Sequence, residues 1–199
     1  VVVTARPLVL ASASPARLRL LRDAGLDPVV LVSGFDEDSL RIDDPRELVE
    51  QLAVRKAEVV AAGHRDALVI GCDSMLLFDG TVLGKAATRD EVVARWQRLR
   101  GRQGVLLTGH CVIDTATGAQ VSAVGETTVR FGTPDDDEIS AYAGSDEAMQ
   151  VAGPFTIDGR ASAFVDGIDG DAGNVIGISL PLLRELLAKL GVRVTDLWS

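Results

Sequence analysis

The stretch that decides the fold is Leu8 to Gly25, LVLASASPARLRLLRDAG. Leu8, Val9 and Leu10 read as a short buried strand. Ser14 before Pro15 reads as an N-cap and first helical residue, because proline lacks only an N–H that would be orphaned at that position. Leu18, Leu21 and Ala24 then recur at helical spacing, and Gly25 is placed to stop the helix. A strand that hands small residues to a helix start leaves backbone N–H groups beside the positive end of the helix dipole, which suits an anion. Ser12 and Ser14 add hydroxyls there. Arg17, in the first turn, can reach back over the same spot. The plainer reading is a capped helix with solvated arginines, and this segment alone does not separate the two.

Working outward, strands and helices alternate. PVVLVSG (28–34) reads as a second strand ending at Gly34. A long helix follows through residues 45–62, with Asp44 as cap, Pro45 first, Glu47 completing a capping box and Gly63 as the stop. ALVIGCDSMLLFDGTVLG (67–84) holds two apolar runs around Asp79-Gly80, a type I′ hairpin signal. Thr88 and Glu91 form another capping box, for a helix through Trp96 and Leu99. GVLLTGHCVID (104–114) and QVSAVGETTVRF (120–131) are long strands joined by the turn TATG. Thr133-Pro134 starts one more helix. DGIDGDAG (166–173) lacks the closing Glu of a calcium loop and reads as a glycine-rich connection. LPLLRELLAKLG (180–191) is a closing amphipathic helix. The pattern is an α/β fold with a mixed twisted sheet and flanking helices, in a single domain over 1–199.

The chain has 199 residues, 47% hydrophobic and 25% charged, a globular composition able to bury a core. A net charge of −9 argues against broad nucleic-acid binding. No apolar run reaches the length of a membrane span. The start, VVVTARPLVLASAS, is too short in its apolar part and lacks the basic start of a secretory signal, and a cytoplasmic protein is expected. Cys72 and Cys111 have no metal or disulfide spacing and read as buried thiols. His64 and His110 are too isolated for a histidine metal site. Any metal would be held by oxygens, which favours Mg²⁺ or Mn²⁺.

Positive charge is carried almost wholly by arginine; Lys56, Lys85 and Lys189 are the three lysines. Lys189 reads as solvated, while Lys56 and Lys85 offer the compact point charge that phosphate sites use. Asp36, Glu37 and Asp38 fall in the loop after the second strand, with Asp38 read as solvated. Asp73 ends an apolar run after Gly71 and Cys72. A carboxylate there is poorly placed for packing and well placed for chemistry. Dinucleotide and P-loop glycine patterns are absent.

Taken in order, S-x-S-x-x-R at Ser12, Ser14 and Arg17, Asp36-Glu37, RKA at Lys56, GCDS with Asp73, GK at Lys85, VAGPFTIDG (151–159) and VIGISLP (175–181) form a series. This series resembles the Maf family of nucleoside triphosphate pyrophosphatases over essentially the whole chain. The resemblance implies the fold of inosine triphosphate pyrophosphatases, with two lobes around an active-site cleft, and a homodimer. It implies hydrolysis of a nucleoside triphosphate to the monophosphate and pyrophosphate, clearing non-standard or surplus nucleotides. By matching motif, it makes Asp73 the proton acceptor and Glu37 and Asp73 the ligands of a divalent metal. Ser12, Ser14, Arg17, Lys56 and Lys85 would hold the triphosphate. Neutralised phosphate oxygens and a carboxylate-activated water are what attack at the α-phosphorus needs.

Three positions that separate the family's substrate subgroups are Ala16, Ser74 and Asp158 in this chain, and they match neither the dTTP/UTP pattern nor the 7-methyl-GTP pattern. Lys85 is followed by Ala86 where the family usually has proline. An ionised Asp158 only accepts hydrogen bonds, which suits bases that present N–H donors, and the small Ala16 leaves room for broad selectivity. The family's link to septum formation also raises an alternative, a non-catalytic nucleotide-binding regulator of cell division.

Overall fold

The structure, a computed structural model, describes residues 6–199. The first five residues of the N-terminal stretch weighed above as a leader lie outside the described residues. Among the described residues seven strands form one mixed sheet. β1 (Leu8–Leu10) pairs in parallel with β2 (Val29–Val30) and with β3 (Leu68–Phe78), while β3 pairs antiparallel with β4 (Thr81–Leu83). The order continues from β3 to β5 (Gln103–Asp114), β6 (Ala119–Phe131) and β7 (Val165–Asp169), the last antiparallel to β6. The helices are α1 (Pro15–Asp23), α2 (Pro45–Ala61), α3 (Arg89–Leu99), α4 (Asp136–Ala143), α5 (Ala172–Ile176) and α6 (Leu180–Lys189).

The chain divides into two compact units. Among the described residues, the first holds 6–73, 108–125 and 177–199, the second 74–107 and 126–176. In the first, β1 alternates between two cores with the period of a strand. Leu8 and Leu10 pack with Leu21 of α1 and with Leu183, Leu186 and Leu187 of α6. Val9 and Ala11 pack with Ala53, Val54 and Ala57 of α2. The strand is thus covered on both faces. The second unit is built on Trp96, whose ring meets Phe131, Tyr142 and Phe164 edge-on at centroid distances of 5.7, 6.0 and 5.5 Å. Its indole N–H donates to the Pro154 carbonyl at 2.9 Å, so the polar end of this buried ring is satisfied.

The turn chemistry reads through. Asp79 and Gly80 both take positive φ, 50° and 73°, as a type I′ hairpin requires. Ser14, Asp44, Thr88 and Ser179 each accept from the first-turn N–H groups of their helices. Three expectations are corrected. The second strand is two residues long, because Val29 to Val32 lie exposed at the sheet edge and pairing stops after Leu31. The helix after Thr133-Pro134 begins later, because Asp135 and Glu138 form a reciprocal capping box that sets its start. Residues 166–173 are not a bare connection: they carry the end of β7, held in register against β6, and the start of α5.

Candidate active site

Within the first unit the end of β1 and the middle of β3 bring the hydroxyl, arginine and carboxylate residues together. Ser12 Oγ accepts from the Ser14 N–H at 3.2 Å and from Arg17 Nη1 at 3.0 Å. Ser14 Oγ caps α1 by accepting from the Arg17 N–H at 3.4 Å. The Arg17 side chain is buried and reaches back across the helix start. Its Nη1 donates to the Cys72 carbonyl at 2.9 Å and its Nε to the Gly177 carbonyl at 2.8 Å. A guanidinium fixed at three acceptors on separate segments is not a solvated arginine. Ala16, beside it on α1, is half-buried.

Asp73 follows Cys72 on β3 and is buried. Its Oδ1 lies 2.5 Å from Lys56 Nζ, and the same ammonium lies 2.7 Å from Glu37 Oε1. One cation therefore joins two carboxylates from different elements. Asp73 Oδ2 is buried without a hydrogen-bond partner among the described residues. Burial pushes the Asp73 carboxyl above the usual aspartate range, opposed by the charges of Lys56 and Arg17. Glu37 opens a short 3₁₀ turn, Glu37–Ser39, whose start is capped by Asp36 accepting from the Asp38 N–H at 3.2 Å. Asp36 and Asp38 are exposed.

Close backbone approach places Lys56 over Asp73. A Cβ on Gly71 would come within 2.2 Å of the Ala53 carbonyl oxygen, and one on Gly109 within 2.0 Å of the Val49 carbonyl oxygen. α2 therefore lies directly on β3 and β5, its small Ala53 and Ala57 facing Gly71. A glycine inside an apolar strand signals such an approach, and Gly71 and Gly109 both sit in that position in the sequence. The carbonyls of Cys72 and Gly177 carry no sequence signal as partners of Arg17.

Ser74, Lys85 and Asp158 belong to the second unit. Ser74 follows Asp73 on β3 and is half-buried, and Lys85 is exposed just after β4. Asp158 is exposed, and its Oδ1 accepts a short bond from Thr156 Oγ1. The remaining candidates are structural or inert. Cys72 and Cys111 are free and buried, their thiols pushed up to about 11 and about 12 by burial. His110 is buried with Nε2 accepting from the Ser179 N–H at 2.8 Å, which leaves Nδ1 as the donor to the Thr108 carbonyl at 2.9 Å. Lys189 is exposed. Among the described residues no group of three or more His, Cys, Asp or Glu surrounds a metal position, and no helix is long and apolar enough to cross a membrane.

Residues 7–190 match the family model described as Maf-like protein. The chain belongs to the Maf-like family. Relatives named nucleoside triphosphate pyrophosphatase align with this Maf-like chain almost end to end. The one from Streptomyces coelicolor is 61% identical over 196 residues, 98% of this chain and 95% of the relative. The one from Synechocystis is 50% identical over 190 residues, 96% of this chain and 97% of the relative. Among solved structures, one titled the Staphylococcus aureus Ham1 protein aligns over 64% of the Maf-like chain and 72% of its own, with TM-score 0.44 and 14% identity.

Proposed function

We propose that this Maf-like chain is a nucleoside triphosphate pyrophosphatase: water attacks the α-phosphorus, the bond to the bridging oxygen of the β-phosphate breaks, and pyrophosphate leaves the nucleoside monophosphate. The observation that carries the proposal is the Asp73–Lys56–Glu37 cluster beside the Ser12–Arg17 helix start, in a chain whose relatives bear that name. A base beside a cation and a second carboxylate has no use in a pure binding module, so the regulator alternative is not retained.

The residues present fit a divalent metal. Asp73 Oδ2 is an orphaned buried oxygen, and Glu37, which shares Lys56 with Asp73, offers a second hard oxygen donor. Two carboxylates completed by substrate phosphate oxygens and water is the habit of Mg²⁺, and Mn²⁺ accepts the same donors. Glu37 and Asp73 would hold the ion, which supplies Lewis-acid neutralisation of the phosphate oxygens. Asp73 takes the proton of the attacking water. Its carboxyl, raised by burial, is a stronger base than an exposed aspartate. Lys56 lies against Asp73 and turns a point charge toward the triphosphate, with Lys85. Arg17, already tied to Ser12 and two carbonyls, presents the N–H groups of the helix start in a fixed orientation. Ser12 and Ser14 complete this cradle. Ala16, Ser74 and Asp158 set the choice of base. We place the enzyme in the cytoplasm as a homodimer that clears non-standard or surplus nucleotides, in keeping with its two free thiols.

Purified protein is incubated with a panel of nucleoside triphosphates and Mg²⁺ or Mn²⁺, and products are separated by chromatography. Monophosphate with stoichiometric pyrophosphate is expected. Mainly diphosphate with orthophosphate overturns the assignment of the bond.

A further inference from the structure

Glu147 performs an unusual task in the second unit. The 3₁₀ helix Arg160–Phe164 begins at Gly159, which has no side chain to cap it. The cap comes instead from Glu147, on the 3₁₀ turn Glu147–Met149. Its Oε2 accepts from the Arg160 N–H at 2.8 Å and its Oε1 from the Ala161 N–H at 3.1 Å. Both carboxylate oxygens are thus committed to two successive backbone donors, an arrangement that fixes position and direction. The approach is close: a Cβ on Gly159 would lie 2.1 Å from Glu147 Oε2. The charge of Glu147 also reaches the buried Tyr142, whose phenol is pushed up by burial first and by this carboxylate second.

Between Glu147's anchor and the buried Thr156 lies Asp158. Thr156 Oγ1 holds the Asp158 carboxylate on one side, and Glu147 clamps the backbone immediately after Gly159 on the other. Thr156 to Ala161 is therefore held at both ends by side-chain bonds, and the clamp at the far end is a single residue. We propose that Glu147 is a positioning residue for substrate selection: by pinning residues 159–161 it holds Asp158 where it meets the base of the nucleotide. The inference rests on the function proposed above and on Asp158 as the base-reading group.

Glu147→Gln tests it well, because the amide keeps the shape but offers one acceptor oxygen, and its NH₂ then confronts a backbone N–H. Steady-state kinetics are measured on GTP, UTP, dTTP and CTP for wild type, Glu147→Gln, Glu147→Asp and Asp158→Ala. Base contacts are made equally in ground and transition state, so their loss appears in KM. Glu147→Gln is expected to raise KM for the preferred nucleotide on the order of ten-fold, to leave kcat close to wild type, and to narrow the ranking among bases as Asp158→Ala does. Glu147→Asp, which keeps the charge, recovers part of the ranking. An equal fall in kcat for all four substrates with the ranking intact overturns the positioning role, because that is the signature of general structural damage. If Asp158→Ala narrows the ranking and Glu147→Gln does not, the inference about Glu147 fails while the base-reading role of Asp158 stands. If Asp158→Ala leaves the ranking untouched, the base-reading role fails and the inference with it. Absence of pyrophosphate from every nucleotide in wild type instead refutes the proposed function itself. Should Glu147→Gln not fold, Gly159→Ala gives the same reading, since its Cβ displaces the carboxylate; an unchanged ranking in that variant overturns the inference.

Discussion

At the scale of single residues, Asp73 is the group to which the proposed mechanism gives the role of base. Burial opposes its charged form and outweighs the opposing charges of Lys56 and Arg17, so the carboxyl is pushed above the usual aspartate range. Asp73→Asn keeps the shape, removes the proposed proton acceptor and removes an oxygen charge from the proposed metal position. Turnover is expected to fall by at least 10²–10⁴-fold, roughly the range for loss of a general base alone. The fold is expected to survive, since a neutral isostere carries none of the desolvation cost of a buried charge. Near-normal pyrophosphate release from the folded variant would mean another group is the base. Asp73 stood out in the sequence as a carboxylate after an apolar run, but it lies in the middle of β3, which continues to Phe78, rather than at the strand end the run suggested. The partners of Arg17 were not legible, because the Cys72 and Gly177 carbonyls it donates to lie on distant segments. A second residue, Asp114, predicts a pH effect. Arg6 hydrogen-bonds its carboxylate, and the Ala116 and Thr117 N–H groups add to this, so its pKa is held down at about 2. The folded state thus binds the proton less tightly than the unfolded chain. The stabilisation is complete above the ordinary aspartate value near 3.9 and is lost as pH falls toward about 2. Asp114→Asn is expected to lower stability by about 1–3 kcal/mol at pH 7, the range for charge-assisted bonds. Urea titrations at stepwise lower pH should show that difference shrinking below about pH 4. A difference that stays constant down to pH 2 refutes the linkage.

Among the elements, α2 decides whether the site exists. Its length and N-cap could be read directly, from Asp44-Pro45, the apolar periodicity and Gly63. What could not be read is how close it lies to the sheet, which depends on which strand residues lack a side chain beneath it. Gly71 and Gly109 supply that space on adjacent strands, and Lys56 reaches Asp73 because they do. Gly109→Ala brings a Cβ against rigid backbone, the Val49 carbonyl, so α2 must move as a body. A cost of about 1–3 kcal/mol or more is expected, as for other overpacked cores, read as a lower urea midpoint at unchanged m-value. Activity should fall further than stability, because the same displacement carries Lys56 away from Asp73. A Gly109→Ala protein as stable and active as wild type rules out the close packing of α2 as the device that places the lysine. The opposite lesson comes from β2. Four consecutive apolar residues, Val29 to Val32, suggested a full strand, yet apolar character alone does not supply a pairing partner, and only the first part of the run pairs with β1. The stretch 166–173 misled in the other direction, since its glycines and aspartates looked like a loop while pairing with β6 made part of it a strand.

For the whole molecule, the alternation of strands and helices was enough to give a mixed α/β sheet, but not the division of the chain into two units with separate cores. That division follows from side chains along three long strands rather than from any linker. The chain passes from one unit to the other at Asp73/Ser74 within β3, at Leu107/Thr108 within β5 and at Gly125/Glu126 within β6, and only the passage at Ile176/Gly177 lies outside a strand. For one unit to melt alone, those strands would have to come apart in mid-length. β5 is buried along nearly all of its twelve residues, so half-melting it would expose the end of the remaining half and its apolar side chains to water. The two cores should therefore unfold together. The chain has two tryptophans, and they allow a clean check. Trp96 is fully buried in the second unit, whereas Trp198 is 61% exposed in the first. Trp198→Phe leaves Trp96 as the single indole, so its fluorescence reports the second unit while far-ultraviolet circular dichroism reports both. Urea transitions from the two probes are expected to coincide in midpoint and slope, as a two-state protein requires. A fluorescence transition clearly separated from the dichroism transition would show that the second unit melts on its own, and that shared strands do not couple the two cores.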